Sequence, residues 1–443
     1  MICPLDSKVI SHLRSGVAIN SLTQCVEELV LNSVDAGASC ISVCVDLSGF
    51  RVHVVDNGSG ISIADLKQVA QRYSTSKCHT LHDLRQLKCY GYRGEALASL
   101  VEISGMLEIV TRHRSSYKTL CSTFINGKFI GISERCISRT NIGTTITIHD
   151  LFRTLPVRRK VISEVLEFER IRQRLAAVAL IHPEISLSLQ NDDSKVKSLQ
   201  THRSHSLRST FTQLFGSLKS KGLREVCHEV KKFRTEGFIS VDAHHNKNLQ
   251  FIYINSRLVL KTKIHKLVGN ILTKSAIVKK FALCSNSESV RKNTTESPDK
   301  QSDKYGIFAL NITCSLDEYD ITLEPAKTLV EFQDWDGLLK CVEECVQSFL
   351  LKENLVLKSS ESESADDDSQ NSVVVSSNTA SIPEESHAIN HYDKGTSLPE
   401  ITDPSGISTS SVRKSLHSLV VCRKKKLTHN GNSNMENESN KNR

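Results

Sequence analysis

No stretch of this chain approaches the roughly 20 apolar residues a helix needs to cross a bilayer. Its first residues show no charged segment followed by a long apolar run, so no signal peptide is expected. The fourteen cysteines are scattered, and the close pairs Cys40/Cys44 and Cys341/Cys345 lack zinc-ligand pattern. Scattered cysteines without a secretion signal read as reduced thiols, which points to cytosol or nucleus. Cys78, His79 and His82 stand close together but without a fourth ligand for zinc. There is no internal repeat. The pattern G-x-x-x-x-G-K-[ST] is also absent, which argues against a P-loop enzyme.

The remainder is ordinary for a soluble globular protein: 443 residues, 39% hydrophobic and 24% charged. That length has room for two or three domains, each with its own core. The net charge of +8 permits a polyanionic partner without requiring one.

Helical spacing runs from Leu22 to Val34 and stops at Gly37, a natural glycine just beyond a helix end. Ile41–Leu47, Val52–Val55 and Thr144–His149 carry strand patterns, and a long helix is predicted from Glu164 to Leu180. Helices and strands mixed without a βαβ rhythm predict an α+β sandwich rather than a doubly wound sheet. This first domain is drawn over residues 1–205. A second, over 206–355, holds strands at Leu249–Asn255 and Ile307–Thr313. Its helices are expected at Lys263–Lys274 and Trp335–Leu351, and a mobile loop at about 285–304. Residues 356–443 open on a Ser/acidic run and hold almost no aromatic residue, the composition of a disordered tail.

Three segments carry chemistry. Glu28, Asn32 and Asp35 are spaced i, i+4, i+7, so their polar groups share one helix face. Such a face suits a metal ion and a water, although on the segment alone a solvated surface is the first reading. Asp56-Asn57-Gly58-Ser59-Gly60 follows an apolar strand. Its glycines let a ligand approach and its carboxylate suits an exocyclic amine, although the run is also a common turn. Gly91-Tyr92-Arg93-Gly94-Glu95-Ala96-Leu97 enters a helix, where free N–H groups attract phosphate. Thr75-Ser76-Lys77 lies upstream as a polar, basic element suited to a lid.

In this order, and followed by Gly143-Thr144-Thr145, these segments resemble the nucleotide-binding motifs of the gyrase, Hsp90, histidine kinase and MutL superfamily. Asn32-Ser33-Val34-Asp35-Ala36-Gly37-Ala38, the Thr-Ser-Lys and Gly-Tyr-Arg-Gly-Glu-Ala-Leu runs, and Leu155-Pro156-Val157-Arg158-Arg159-Lys160 narrow the resemblance to MutL proteins of DNA mismatch repair. The second domain adds Ile254-Asn255-Ser256-Arg257 and Glu324-Pro325-Ala326-Lys327, where a glutamate replaces the usual histidine as in the MutL homologue 3 branch. The likeness covers about residues 8–352.

This resemblance implies an ATPase sandwich followed by a ribosomal-protein-S5-like α+β domain. It implies ATP and Mg²⁺ as ligands, with Glu28 as the general base and Asn32 holding the metal. Asp56 would contact the adenine amino group, supported by Thr145, while Gly58 and Gly60 shape that wall and Asp35 belongs to the same pocket. Thr75, Ser76, Lys77, Gly91, Arg93, Gly94, Glu95, Ala96 and Leu97 form the lid and phosphate loop. Lys327 would reach the γ-phosphate from the second domain.

Two departures stand out. Arg14–Asn20 replaces the family's usual Ile-Ala-Ala-Gly-Glu-Val-Val, which puts the N-terminal dimerisation arm in doubt. The Asp-Gln-His-Ala endonuclease motif is absent, so no nuclease activity is expected.

Implied partners are MutL homologue 1 as heterodimer mate, MutS-type recognition complexes and DNA bound without sequence preference, in repair or meiotic recombination. No membrane partner is implied. Arg257, Lys261, Lys263, Lys266 and Lys274, with Lys231, Lys232 and Arg234, read as a solvated basic face or, given the family, a DNA-backbone surface. Arg413-Lys414 and Arg423–Lys426 suit a nuclear localisation signal. Two other function classes compete with this reading. One is a related superfamily enzyme, of which a kinase or topoisomerase would need a phosphoacceptor histidine or catalytic tyrosine domain that has no room here. The other is a non-catalytic DNA-binding or decoy module that binds ATP without acting.

Overall fold

The computed structural model describes residues 2–80, 82, 83, 86, 89–136, 138–277, 304–320 and 330–357. The described residues fall within one compact unit; residues 358–443 of the expected tail and the 285–303 part of the expected loop lie outside them. So do Lys327 and the basic runs at 413–414 and 423–426.

The first helix, α1 (Ser7–Ala18), takes in Arg14–Ala18 of the segment that departs from the family pattern, and Asp6 caps it. Helix α2 (Leu22–Asp35) starts at Ser21, whose hydroxyl accepts the Gln24 N–H at 3.1 Å. Ala36 caps its end, and Gly37 turns the chain away with φ +70°. Strands β1 (Cys40–Asp46) and β2 (Arg51–Asp56) pair antiparallel, with Ile41 opposite Asp56. The end of β2 is thereby carried back to the end of α2. Helix α3 (Ala96–Ile103) follows, then β3 (Met106–Arg112), β4 (Leu120–Ile125), β5 (Lys128–Glu134) and β6 (Gly143–His149).

Helix α4 (Glu164–Ile181), β7 (Ser186–Asn191) and β8 (Lys197–Gln200) complete an eight-stranded sheet in the order β5-β4-β3-β6-β2-β1-β7-β8. All its pairings are antiparallel except β1 with β7. Alternate residues, such as Val43, Val45, Val52, Val54, Leu107 and Ile109, are buried beneath the helices.

The second sheet begins after α5 (Leu207–Phe215). It contains β9 (Leu223–Val230), β10 (Phe233–His244), β11 (Gln250–Ile254), β12 (Arg257–Val259) and, after α6 (Lys263–Thr273), β13 (Tyr305–Thr313), in the order β12-β11-β13-β10-β9. Strands β11 and β13 are parallel and buried on both faces, hence their nearly continuous apolar sequence. One face packs on α6 and α7 (Trp335–Lys352), the other on α4 and α5. Helix α4 joins the two cores: Leu175, Val178 and Ala179 enter the first, Ala177 and Leu180 the second. Its C-terminal half is apolar all round for that reason.

The helices and strands expected from the sequence are present, with ends shifted by a residue or two. Among the described residues no helix is long and apolar enough to cross a membrane.

Candidate functional site

Asp56, 8% exposed, ends β2 beside the last turn of α2. Its Oδ1 accepts the N–H groups of Gly58 (2.9 Å) and Thr144 (3.0 Å), and its Oδ2 accepts the Ser33 hydroxyl at 3.0 Å. A carboxylate offers about four lone-pair directions, so these three donors leave capacity for one more N–H. Behind it, Arg139 donates to the Asp56 main-chain carbonyl at 2.8 Å and to the Thr145 hydroxyl. Burial holds the Arg139 guanidinium below its ordinary pKa. The 56–60 turn needs Gly60: φ is +70°, and a Cβ there would lie 2.3 Å from the Arg112 carbonyl oxygen.

A second cluster lies along α2. Lys77 Nζ stands 2.8 Å from Asn32 Oδ1 and 2.7 Å from Asp35 Oδ2. The Asp35 carboxylate also accepts the N–H groups of Tyr90 at 2.8 Å and Gly91 at 2.9 Å. One carboxylate therefore holds an ammonium and two loop amides, all charge-assisted contacts. Glu28 sits two turns earlier and is 8% exposed, while the Asp35 side chain is 3% exposed. Glu28 is thus buried, while Asn32 and Asp35 are half-buried as whole residues and engaged by Lys77 and, for Asp35, by the amides of Tyr90 and Gly91. Glu28, Tyr90, His182, Ser256 and Arg257 line a cavity of about 30 Å³, room for a water.

The loop between these clusters leans on Gly94, whose carbonyl accepts the Tyr73 N–H at 2.8 Å. Gly94 has φ +63°, and a Cβ there would lie 2.8 Å from the Ser74 carbonyl oxygen and push the 73–77 segment away. Within that segment the Thr75 hydroxyl accepts the Lys77 N–H at 3.2 Å, and Ser76 is exposed. The Arg93 guanidinium lies 5.7 Å from the Tyr92 ring centre. Glu95 precedes α3 without capping it through its side chain, and lies 3.8 Å from both Arg14 and Arg72. Ala96 and Leu97 form the first turn of α3.

Lys263, Lys266 and Lys274 are exposed on α6 and at its end, with Lys263 Nζ 4.6 Å from the Trp335 ring centre. Arg257 does not share their surface. It is 7% exposed and donates to the carbonyls of Cys89 and Tyr90. Lys232 pairs with Glu318 at 2.5 Å, and Arg234 with Glu236 at 3.1 Å, so both are locally neutralised. Ser33 and Thr144 lie within the motifs but carry no role in the sequence reading, and Arg139 escaped it. The first two adjoin residues it singled out, whereas Arg139 lies in an irregular segment with no pattern to mark it.

A family model described as histidine kinase-, DNA gyrase B-, and HSP90-like ATPase matches residues 20–141. The human DNA mismatch repair protein Mlh3 is 44% identical over 358 residues, covering 81% of this chain and 24% of that protein. The MLH3 protein of Saccharomyces cerevisiae is 29% identical, over 78% of this chain and 51% of its own length. The chain thus spans between about a quarter and a half of these relatives. The crystal structure of the N-terminal domain of a DNA repair protein superposes with a TM-score of 0.61 at 25% identity, over 78% of this chain and 98% of that one.

Proposed function

Because this chain belongs to the MutL family of DNA mismatch repair proteins and is related within it to Mlh3, we propose that it binds and slowly hydrolyses ATP as the switch of such a protein. The observation that carries this reading is that the helix holding buried Glu28 also presents Asn32 and Asp35 to Lys77 and bonds Asp56, at the end of β2, through Ser33, all inside the matched ATPase region.

Each residue then has a task. Asp56 receives the adenine amino N–H in its remaining acceptor direction, with Thr145 and the Gly58–Gly60 turn shaping that end. The N–H groups opening α3 face the phosphates, since no side chain from Glu95 caps them. Glu28 takes a proton from the water that attacks the γ-phosphorus, and its buried position keeps the carboxylate from bulk solvent. Asn32 Oδ1, a hard oxygen already holding the Lys77 ammonium, suits Mg²⁺, which when bound would offset phosphate charge. Lys77 exchanges Asp35 for phosphate as nucleotide enters. The family resemblance assigns Lys327 to the γ-phosphate.

The same kinship supports a wider setting for this reading: nuclear mismatch repair and meiotic recombination, with MutL homologue 1 as heterodimer mate and MutS-type complexes upstream. DNA contact without sequence preference is assigned to Lys263, Lys266 and Lys274. Steady-state ATPase and nucleotide-binding assays test the centre of the proposal. Glu28→Ala is expected to keep ATP binding and lose about 10²–10⁴-fold in turnover. Unchanged hydrolysis in that variant would remove Glu28 from the reaction, and no hydrolysis in the parent would favour a binding-only decoy.

A further inference from the structure

The motif Ile254-Asn255-Ser256-Arg257 has no part in the nucleotide chemistry above, yet the fold spends several unusual contacts on it. Ile254 pairs with Arg257 across a two-residue turn whose central residues both have positive φ, Asn255 at +47° and Ser256 at +65°. Tight hairpins favour this turn, and asparagine tolerates it better than most side chains. Its surroundings hold it firmly. Asn255 Nδ2 donates to the Cys314 carbonyl at 2.9 Å and its Oδ1 accepts the Cys314 N–H at 3.1 Å. The Asn255 N–H bonds the Ile312 carbonyl at 2.9 Å, and the Ser256 N–H bonds Asn311 Oδ1 at 3.0 Å. Left-handed backbone at non-glycine residues persists only where packing over-determines it.

From this rigid base the turn grips the loop at Cys89–Gly91. Arg257 donates to the Tyr90 carbonyl at 3.2 Å and to the Cys89 carbonyl, and its guanidinium lies 5.1 Å from the Tyr90 ring centre. The Tyr90 hydroxyl donates to the Ser256 carbonyl at 2.9 Å and lies 2.7 Å from His182 Nε2. On its other side the same loop gives its Tyr90 and Gly91 N–H groups to Asp35. Its carbonyls are thus fixed by the second sheet and its amides by the nucleotide helix. Glu28 lies on the wall of the cavity that Tyr90 and Arg257 also line.

We propose that the Asn255–Arg257 turn positions the nucleotide loop, with Arg257 and Tyr90 as positioning residues through which nucleotide occupancy reaches the second sheet. The proposal rests on the nucleotide-site reading above. A buried guanidinium is costly unless satisfied, and here two adjacent carbonyls match its planar fork. Lysine keeps the charge but cannot span both acceptors in that geometry.

Hydrogen exchange with and without a non-hydrolysable ATP analogue, together with steady-state kinetics, tests the clamp on the whole chain. In the parent the analogue slows exchange both at 89–97 and at 252–258. In Arg257→Lys and Tyr90→Phe it still protects 89–97 while the response at 252–258 is diminished. In both variants kcat drops by about tenfold or more while KM changes less, as expected for a lost charged or buried hydrogen bond. Tyr90→Phe removes one oxygen and keeps the ring under Arg257, so it serves if Arg257→Lys does not fold. A response at 252–258 undiminished in the variants, or absent in a parent protected at 89–97, overturns the clamp. Protection of neither segment in the parent overturns the nucleotide reading itself.

Discussion

Asp56 shows how one side chain combines a structural and a ligand-facing role. Three donors already converge on it: the Ser33 hydroxyl and the N–H groups of Gly58 and Thr144. Asp56→Ala strands all three, at about 1–3 kcal/mol for each buried group left unsatisfied. Asp56→Asn is the more instructive change. Its amide oxygen still serves Gly58 and Thr144, and the Ser33 hydroxyl rotates to accept from Nδ2. The carboxylate's remaining acceptor direction, however, gives way to a donor that opposes an incoming amine. The expected result is a melting temperature close to the parent's, with ATP affinity reduced by about tenfold or more on titration calorimetry. Full affinity in Asp56→Asn would move the base contact to another group.

Among the elements, α6 carries its own pH response. Thr262 precedes it, and His265 Nδ1 accepts the Thr262 N–H at 3.3 Å while lying 2.9 Å from the Thr262 hydroxyl. That acceptor role requires an unprotonated ring, and burial lowers the His265 pKa from 6.5 to about 4. Above pH 6.5 the ring is neutral in folded and unfolded chains alike, and the cap's stability is fully present. Between 6.5 and about 4 the unfolded chain binds a proton that the folded chain refuses, so stability falls with pH. His244, also lowered to about 4, loses stability over the same window. His265→Gln isolates the cap, because glutamine fills the same position of a capping box without titrating. Thermal melts at pH 7 and 4.5 should show a smaller acid loss in the variant than in the parent; equal losses would mean the cap does not titrate.

For the molecule as a whole, the net charge of +8 matters through its distribution rather than its sum. Arg257 is internal, while Lys232 and Arg234 are paired. Of the basic residues expected on the second domain, Lys263, Lys266 and Lys274 stay exposed along α6. Binding of duplex DNA by that surface should weaken with salt at a log–log slope of about −0.9 per neutralised phosphate. Replacing the three lysines by alanine should flatten the slope for any duplex sequence, measured by fluorescence anisotropy across a salt series. An unchanged slope would assign the contact to other residues.

The sequence alone determined the local framework. Helical spacing put Glu28, Asn32 and Asp35 on one face, glycines marked the turn after Asp56, and the order of the motifs identified the family. These features were legible because each depends on backbone preferences and periodicities within a few residues. Partnership across the fold was decided by tertiary structure. Lys77 meets Asn32 across 45 positions, Thr144 meets Asp56 across 88, and Arg257 meets Tyr90 across 167. Arg257, one of the basic residues read as a possible DNA surface, became internal, and on the α2 face Glu28 became buried while Asn32 and Asp35 were engaged by Lys77. Strand order sets which segments become neighbours, and burial makes unsatisfied polar groups costly enough to hold those neighbours in one arrangement.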